Sequence, residues 1–454
     1  MSPFLVFLLL LNAYLLLVFV LVKTGWMRKL NMALFGPALM IKTQRGRGLL
    51  DWLAKARRTF DWSATFGLYM TGTIMFLMSV LLVLQLWVLF QLPVEATPSP
   101  RLILGIPGIN PIIPVGFGIV ALIFAVAVHE LSHGILARVH DLKVKTMGIL
   151  LFIVPIGAFV EPDEDELKAT TRRKRLKVFA AGPTSNLFFA VLFGVLFSGV
   201  LMEQADAVPG VPIQGVEQDG PADQAGLEPG QLITAVNGVQ IGSRDAFTKE
   251  LNKTRPGDNV LIAVHPDAHI YQVRTDSCSN LYGRENCTRP VREGGFGLAD
   301  PDNRSYIGIR VLRPEPTEAV TWLSDPLSGL RNTLYYVGLP FEALGGNFPL
   351  VGPYNEFIET PFHPPTFWFL ANLFYWLFWI NLMLGLTNAL PIVPLDGGHM
   401  FKDFIGGFLE KRNPAQPPER RETTVRRVSL TVTLFLVFVI ILQFFAPRIA
   451  SLFA

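Results

Sequence analysis

Charged side chains are scarce in this chain. Asp, Glu, Lys and Arg make up 17% of its 454 residues, where an ordinary soluble protein carries about 25%. Hydrophobic residues supply 50%, and the mean hydropathy is +0.39. This excludes a wholly soluble protein and requires part of the surface to face lipid. The net charge of +3 lacks the basic excess that a nucleic-acid partner demands, so no nucleic acid is expected. Internal repeats, a common mark of transporters, are also missing. Cysteine is nearly absent, with Cys278 and Cys287 alone.

What is present is a set of long apolar runs. A spanning helix needs about 20 predominantly apolar residues, and six segments qualify: 3–22, 63–90, 114–138, 178–201, 366–386 and 429–445. Between them, residues 23–58, 172–177 and 411–427 are strongly basic, and short loops rich in Lys and Arg stay in the cytoplasm. Six spans put all three basic segments on one side and both termini outside. The first span lacks a small-residue cleavage site and runs straight into basic residues, which reads as a retained anchor. The expectation is a multi-pass integral membrane protein, mainly α-helical, with the lipid bilayer as its solvent.

In that topology the insert from about residue 203 to 315 is extracytoplasmic. It holds every Asn-X-Ser/Thr acceptor in the chain, at Asn252, Asn286 and Asn303. It also holds both cysteines, and a close pair outside the cytoplasm commonly bonds. A disulfide between Cys278 and Cys287 and two free thiols are both open at this point.

The third apolar run contains Ala127-Val128-His129-Glu130-Leu131-Ser132-His133-Gly134. Residues four apart share one helix face, so His129 and His133 can direct nitrogens at one metal ion in an H-E-x-x-H arrangement. A catalytic zinc site takes three protein ligands and keeps an open position. Glu130, beside the first ligand, can take a proton from water. Three fixed residues can match by chance, but an ionisable side chain at the centre of a membrane helix costs about 2.5–3.5 kcal/mol. Three within five positions need something to compensate them, and a bound metal does so. His129 lies about 14 residues beyond Val115, roughly 21 Å along a helix, toward the cytoplasmic half of the membrane.

A third ligand must come from elsewhere. The fifth run feeds into Asn388-Ala389-Leu390-Pro391-Ile392-Val393-Pro394-Leu395-Asp396-Gly397-Gly398, whose prolines stop the helix. Irregular backbone at membrane depth is tolerated only when buried in protein or lining a wet cavity. Asp396, held there, can complete a His-His-carboxylate site. His399 is a rival ligand, whereas His140 reads as an interfacial side chain.

Together, H-E-L-S-H and N-A-L-P-I-V-P-L-D-G-G resemble the site-2 protease family of intramembrane zinc metalloproteases. Gly182-Pro183-Thr184-Ser185-Asn186 looks like the family's Gly-x-x-x-Asn element. The resemblance covers residues 114–201 and 366–402 and leaves the first two spans and the tail without a motif. It implies Zn2+ as cofactor with His129, His133 and Asp396 as ligands, and Glu130 as general base. It implies Asn388 and Asn186 as polar groups lining the site that position substrate backbone or an oxyanion. Residues 143–160, too short and too interrupted by Gly148, Pro155 and Gly157 to span, correspond to a re-entrant β-element. Its edge, Gly157-Ala158-Phe159-Val160, would take the substrate as an added strand. The implied activity is regulated hydrolysis in or near transmembrane helices, with single-span membrane-tethered proteins as substrates.

Residues 208–265 resemble a protease-associated PDZ domain, on Gly220-Pro221-Ala222-Asp223-Gln224-Ala225-Gly226-Leu227, Pro229-Gly230-Gln231-Leu232-Ile233 and Val236-Asn237-Gly238. Asn-Gly favours a tight hairpin; Gln231 stands where the family usually has Asp. Residues 265–303 look like an insertion before a last strand at 306–311. Such α+β domains bind extended peptides or exposed C-termini on a sheet edge, so a substrate filter and an inert spacer are the competing readings.

The expected divisions are 1–113 for the N-terminal helices and basic loop, 114–203 for the first half of the catalytic core, and 204–315 for the PDZ-like domain. Residues 316–365 form an interfacial linker, 366–410 the second half of the core, and 411–454 a basic cytoplasmic loop and last span. Two other functions compete. A cytoplasm-facing H-E-x-x-H peptidase usually draws its third ligand from a Glu on a later helix, which the 388–398 run argues against. A zinc transporter or metal-holding scaffold fits poorly with one metal locus and no repeat.

Overall fold

The structure is a computed structural model that describes residues 3–44, 46–89, 107–152, 154–266, 269–282, 302–312, 314–342 and 352–450, with isolated positions 102, 105, 285, 287 and 350. The chain divides into two compact units, Met1–Gly194 with Leu373–Ala454, and Val195–Asn372.

The long helices are α1 (Pro3–Lys23), α2 (Arg57–Leu89), α3 (Val115–Val139), α4 (Arg172–Val195), α5 (Pro364–Asn388), α6 (Asp396–Arg412) and α7 (Pro418–Ala450). Among the described residues, five helical stretches are long and apolar enough to cross a membrane, where the hydropathy pattern leads one to expect six. The first expected span does form α1, but only Leu11–Lys23 of it qualifies, as a shorter apolar helix.

The helices also run past their apolar stretches. α4 takes in the whole basic segment 172–177, and α6 with α7 leaves only 413–417 out of the expected loop at 411–427. Arg, Lys and Glu are good helix formers, and beyond the hydrocarbon nothing obliges a helix to stop. Hydropathy therefore marks the part of a helix that lipid requires, not its ends.

The first unit also carries a four-stranded antiparallel sheet, β1 (Met32–Phe35), β2 (Ala38–Thr43), β3 (Val144–Phe152) and β4 (Val154–Pro162), in that spatial order. The segment too short to span thus doubles back as the β3–β4 hairpin. The N-terminal hairpin joining it was not visible in the pattern. Gly148 is required where β2 and β3 meet, because a Cβ there would run into the Ile41 carbonyl. β4 ends the sheet. Its Val160 packs among Leu50, Ile135, Val139 and Val178, which seats the strand on the helical core.

The second unit is built on a six-stranded sheet. The order is Ile270–Arg274, Asn259–His265, Leu232–Val236, Val211–Val216, Ile309–Val311, with Val239–Gln240 paired to Leu232–Val236. Asn237 and Gly238 have φ of 50° and 80°, the left-handed pair that a two-residue hairpin turn needs. Val211, Ile213, Ile233, Val236, Phe247, Val260 and Ile262 close a core between the sheet and the helix Arg244–Leu251. The last strand begins later than expected, at Ile309, while Ser305–Tyr306 pairs with Asp276–Ser277. Cys278 and Cys287 are bonded and fully buried, which settles the choice against free thiols. Asn252 and Asn303 are exposed, and Asn286 lies outside the described residues.

Candidate metal centre

α3 carries His129, Glu130 and His133 one turn apart, and both imidazoles are buried. Their rings meet edge to face with centroids 4.9 Å apart. His133 Nδ1 donates to the carbonyl of Val178 at 2.7 Å, and His129 Nδ1 lies 2.6 Å from Asn186 Oδ1. The Asn186 amide nitrogen is engaged with Ala125 O and Asn381 Oδ1, each at 3.0 Å, so its oxygen accepts. These partners hold the protons on Nδ1 and leave both Nε2 lone pairs directed into the site.

Asp396 arrives from the opposite side. α5 stops at Asn388, and α6 starts at Asp396. The irregular stretch between them satisfies itself with short turns, Ile392 N to Leu390 O and Leu395 N to Ile392 O, both 2.7 Å. Val393 N donates to Thr433 Oγ1 of α7 at 3.1 Å. Gly397 and Gly398 let the first turn of α6 fold against this stretch, since a Cβ at Gly398 would lie 2.6 Å from the Ile392 backbone. As a result Asp396 Oδ2 sits 3.0 Å from His129 Nε2 and 3.2 Å from His133 Nε2.

The donor set fits zinc. Two imidazole nitrogens and one carboxylate form the one group of three or more such side chains, among the described residues, able to hold a metal. Tetrahedral arms of about 2.0–2.1 Å put neighbouring ligand atoms roughly 3.3 Å apart, close to the spacing found. Asp396 Oδ2 is buried and makes no hydrogen bond, so three lone-pair atoms face one another across 3.0 and 3.2 Å. Gly182 on α4 keeps the space open: a Cβ there would lie 2.5 Å from His129 Nε2 and 2.6 Å from His133 Nε2.

Beside these atoms lies a cavity of about 310 Å³ whose lining includes Glu130, Val160, Asn388, Asp396 and His399. Glu130 Oε2 accepts from Val160 N at 3.1 Å, which ties the carboxylate to the free edge of β4. Gly157, Ala158 and Phe159 lie on that strand. His399 is outside the three-ligand group and stacks on Phe179 at 4.9 Å; burial pushes its imidazole below the ordinary range. His140 is buried 3.6 Å from Asp61.

Asn186 is placed differently from the expectation. It is fully buried, holds His129 from behind, and is not on the cavity wall, whereas Asn388 is. Gly182 lies in the Gly-x-x-x-Asn element, but no sequence pattern assigned it this role, and Asn381 and the Val178 carbonyl were not singled out. Asn381 did carry a signal, as a polar residue in a membrane helix; a backbone carbonyl carries none.

A model of peptidase family M50 matches residues 117–437. The zinc metalloprotease RasP of Shouchella clausii is 25% identical over 321 residues, covering 66% of this chain and 70% of that protein. The membrane metalloprotease ARASP, chloroplastic, of Arabidopsis thaliana is 23% identical over 314 residues, 60% of this chain and 66% of that protein. An uncharacterized protein of Methanocaldococcus jannaschii is 29% identical over 324 residues, 71% of this chain and 65% of that protein. The chain thus spans about two thirds of the length of these relatives.

Two substitutions test the geometry. Gly182→Val fills the space between the imidazoles and should reduce bound zinc to under about a tenth of wild type, measured by metal analysis, with helix content unchanged by circular dichroism. Asn186→Ala frees the His129 ring and should weaken zinc binding about 10–100-fold in competition with a chelator.

Proposed function

The chain belongs to peptidase family M50 of zinc metalloproteases, and from that membership we propose that it is an intramembrane endoprotease. It cuts peptide bonds in or near the transmembrane helices of single-span, membrane-tethered regulatory proteins. The observation that carries this reading is the convergence of His129, His133 and Asp396 beside a strand edge, with both histidines on a helix apolar enough to cross a membrane.

In this reading His129, His133 and Asp396 hold the metal. Zinc bound there supplies Lewis acidity that polarises a carbonyl and lowers the pKa of water. Glu130 is the general base: its carboxylate takes a proton from the attacking water and passes it to the departing amide nitrogen. Asn388, on the cavity wall, is placed to donate to the substrate backbone or to the developing oxyanion.

A helical substrate hides its carbonyls and must unwind to be cut. We assign the β-element 143–160 to that step. Val160 N points away from β3, and by the two-residue period of a strand Ala158 presents its backbone to the same edge. An extended substrate segment added along 157–160 has its freed N–H and C=O groups paired where lipid offers no partner.

We read the sheet of the second unit as a PDZ-like domain on the extracytoplasmic side, a placement that the Cys278–Cys287 disulfide supports. An extended peptide or C-terminus added at an outer strand of this sheet, such as Ile309–Val311, would let the domain filter for substrates already trimmed outside. With α1 as a sixth span, the metal centre faces the cytoplasmic half of the membrane.

Cleavage of a single-span substrate by the purified protein in detergent tests the assignments. Glu130→Gln should keep its zinc and lose about 10²–10⁴-fold in rate, and Asp396→Ala should lose zinc as well. Full zinc in every variant with cleavage by none would remove Asp396 from the site and favour a scaffold. Deletion of residues 208–311 should admit untrimmed membrane proteins; their continued refusal would sink the filter.

A further inference from the structure

Asp396 stands at the N-terminus of α6, and the stretch before it is irregular. Its position against two imidazoles on α3 therefore depends on what fixes α6 along its length. Besides α7 and α2, which lie against it, α6 meets α4 through side chains, and α4 also supplies the Val178 carbonyl, Gly182 and Asn186 to the site. The contacts between α4 and α6 form an antiparallel ladder leading away from the metal centre.

Gly182 lies against the imidazoles that Asp396 meets. One turn further along, Phe179 stacks on His399 with ring planes 14° apart. At the next turn Arg175 grips Asp403 in a two-pronged pair, Nε to Oδ2 and Nη2 to Oδ1, both 2.8 Å. Residues 396, 399 and 403 share one face of α6, and 182, 179 and 175 share one face of α4, as spacings of three, four and seven require. Asp403 is two turns, about 10.5 Å, from Asp396.

This pair differs from the other ion pairs at the same end of the helices. Its side chains are 19% and 16% exposed, against 38% and 49% for Arg172 and Glu410. Arg175 Nη1 also donates to Lys168 O and Thr170 O, each at 3.1 Å, so every face of the guanidinium is engaged. A planar fork held on both sides fixes rotation as well as distance, which a single flexible contact does not. Leu176 and Ala180 of α4 share an apolar cluster with Met400 of α6 and with Leu68 and Met75 of α2.

We propose that Arg175 and Asp403 are positioning residues for the metal centre: their bidentate pair sets the rotation and axial place of α6 on α4, and through it the approach of Asp396 to the imidazoles. The role rests on Asp396 being a zinc ligand. Neither residue touches the cavity or the metal. Loss of the pair lets α6 turn or slide by a fraction of a residue, and the third ligand is the first thing displaced.

The test measures zinc affinity by chelator competition on the full-length protein in detergent, alongside the thermal midpoint of the zinc-free form. Asp403→Asn and Arg175→Gln should each weaken zinc about 10-fold or more, while the zinc-free midpoint moves by no more than about 3 °C. The double variant should be no weaker than the worse single, because both act through one contact. Arg175→Lys, which keeps the charge and loses the fork, should also weaken zinc. Unchanged affinity in the singles, additive losses in the double, or a zinc-free midpoint that falls in step with affinity would overturn the role. Asp396→Ala run in parallel separates the premises, since zinc retained in that variant refutes the ligand assignment itself.

Discussion

Two imidazole nitrogens and a carboxylate oxygen, each presenting a lone pair, face one another across 3.0 and 3.2 Å in a buried site. In an apolar interior such an arrangement is repulsive unless a cation sits among the three atoms or protons are shared between them. The Nδ1 partners, Val178 O and Asn186 Oδ1, already hold the imidazole protons on the far side. The surrounding structure follows from that need. Gly182 withholds a side chain, Asn381 orients Asn186, and two glycines let α6 start within reach of α3. Each is a small residue or a hydrogen-bonded polar group in a region where lipid could satisfy neither.

The same constraint governs the irregular backbone. A chain that leaves helical geometry at membrane depth must pair its own N–H and C=O groups. The 389–395 stretch pairs its groups through tight turns and Thr433, and in the proposed re-entrant reading the β3–β4 hairpin does so through the sheet with β1 and β2. One outward group on β4, the Val160 N–H, is taken by Glu130. Within the proposed mechanism a substrate carbonyl arriving at that edge competes with the general base for this donor. Strand addition and release of Glu130 toward the scissile bond are then coupled by one hydrogen bond.

The second unit obeys different physics. Its sheet is held by an alternating apolar core around Ile213, Ile233 and Ile262, and by a disulfide. It also carries both cysteines of the chain.

Much of this was legible in the residues themselves. Apolar runs located the helices, because lipid demands about 20 such residues whatever the neighbours. The i, i+4 spacing of His129 and His133 and the proline-bounded Asp396 pointed to three side chains that do meet, because those patterns are local. Helix ends were misjudged at 172–177 and 411–427, since hydropathy is blind to a polar helix. Only the tertiary structure decided that β1 and β2 complete the sheet, that Asn186 buttresses a ligand, and that Arg175 meets Asp403 228 residues away. Those facts depend on contacts between segments far apart in sequence and on backbone atoms that every residue shares, and neither leaves a mark in the order of side chains.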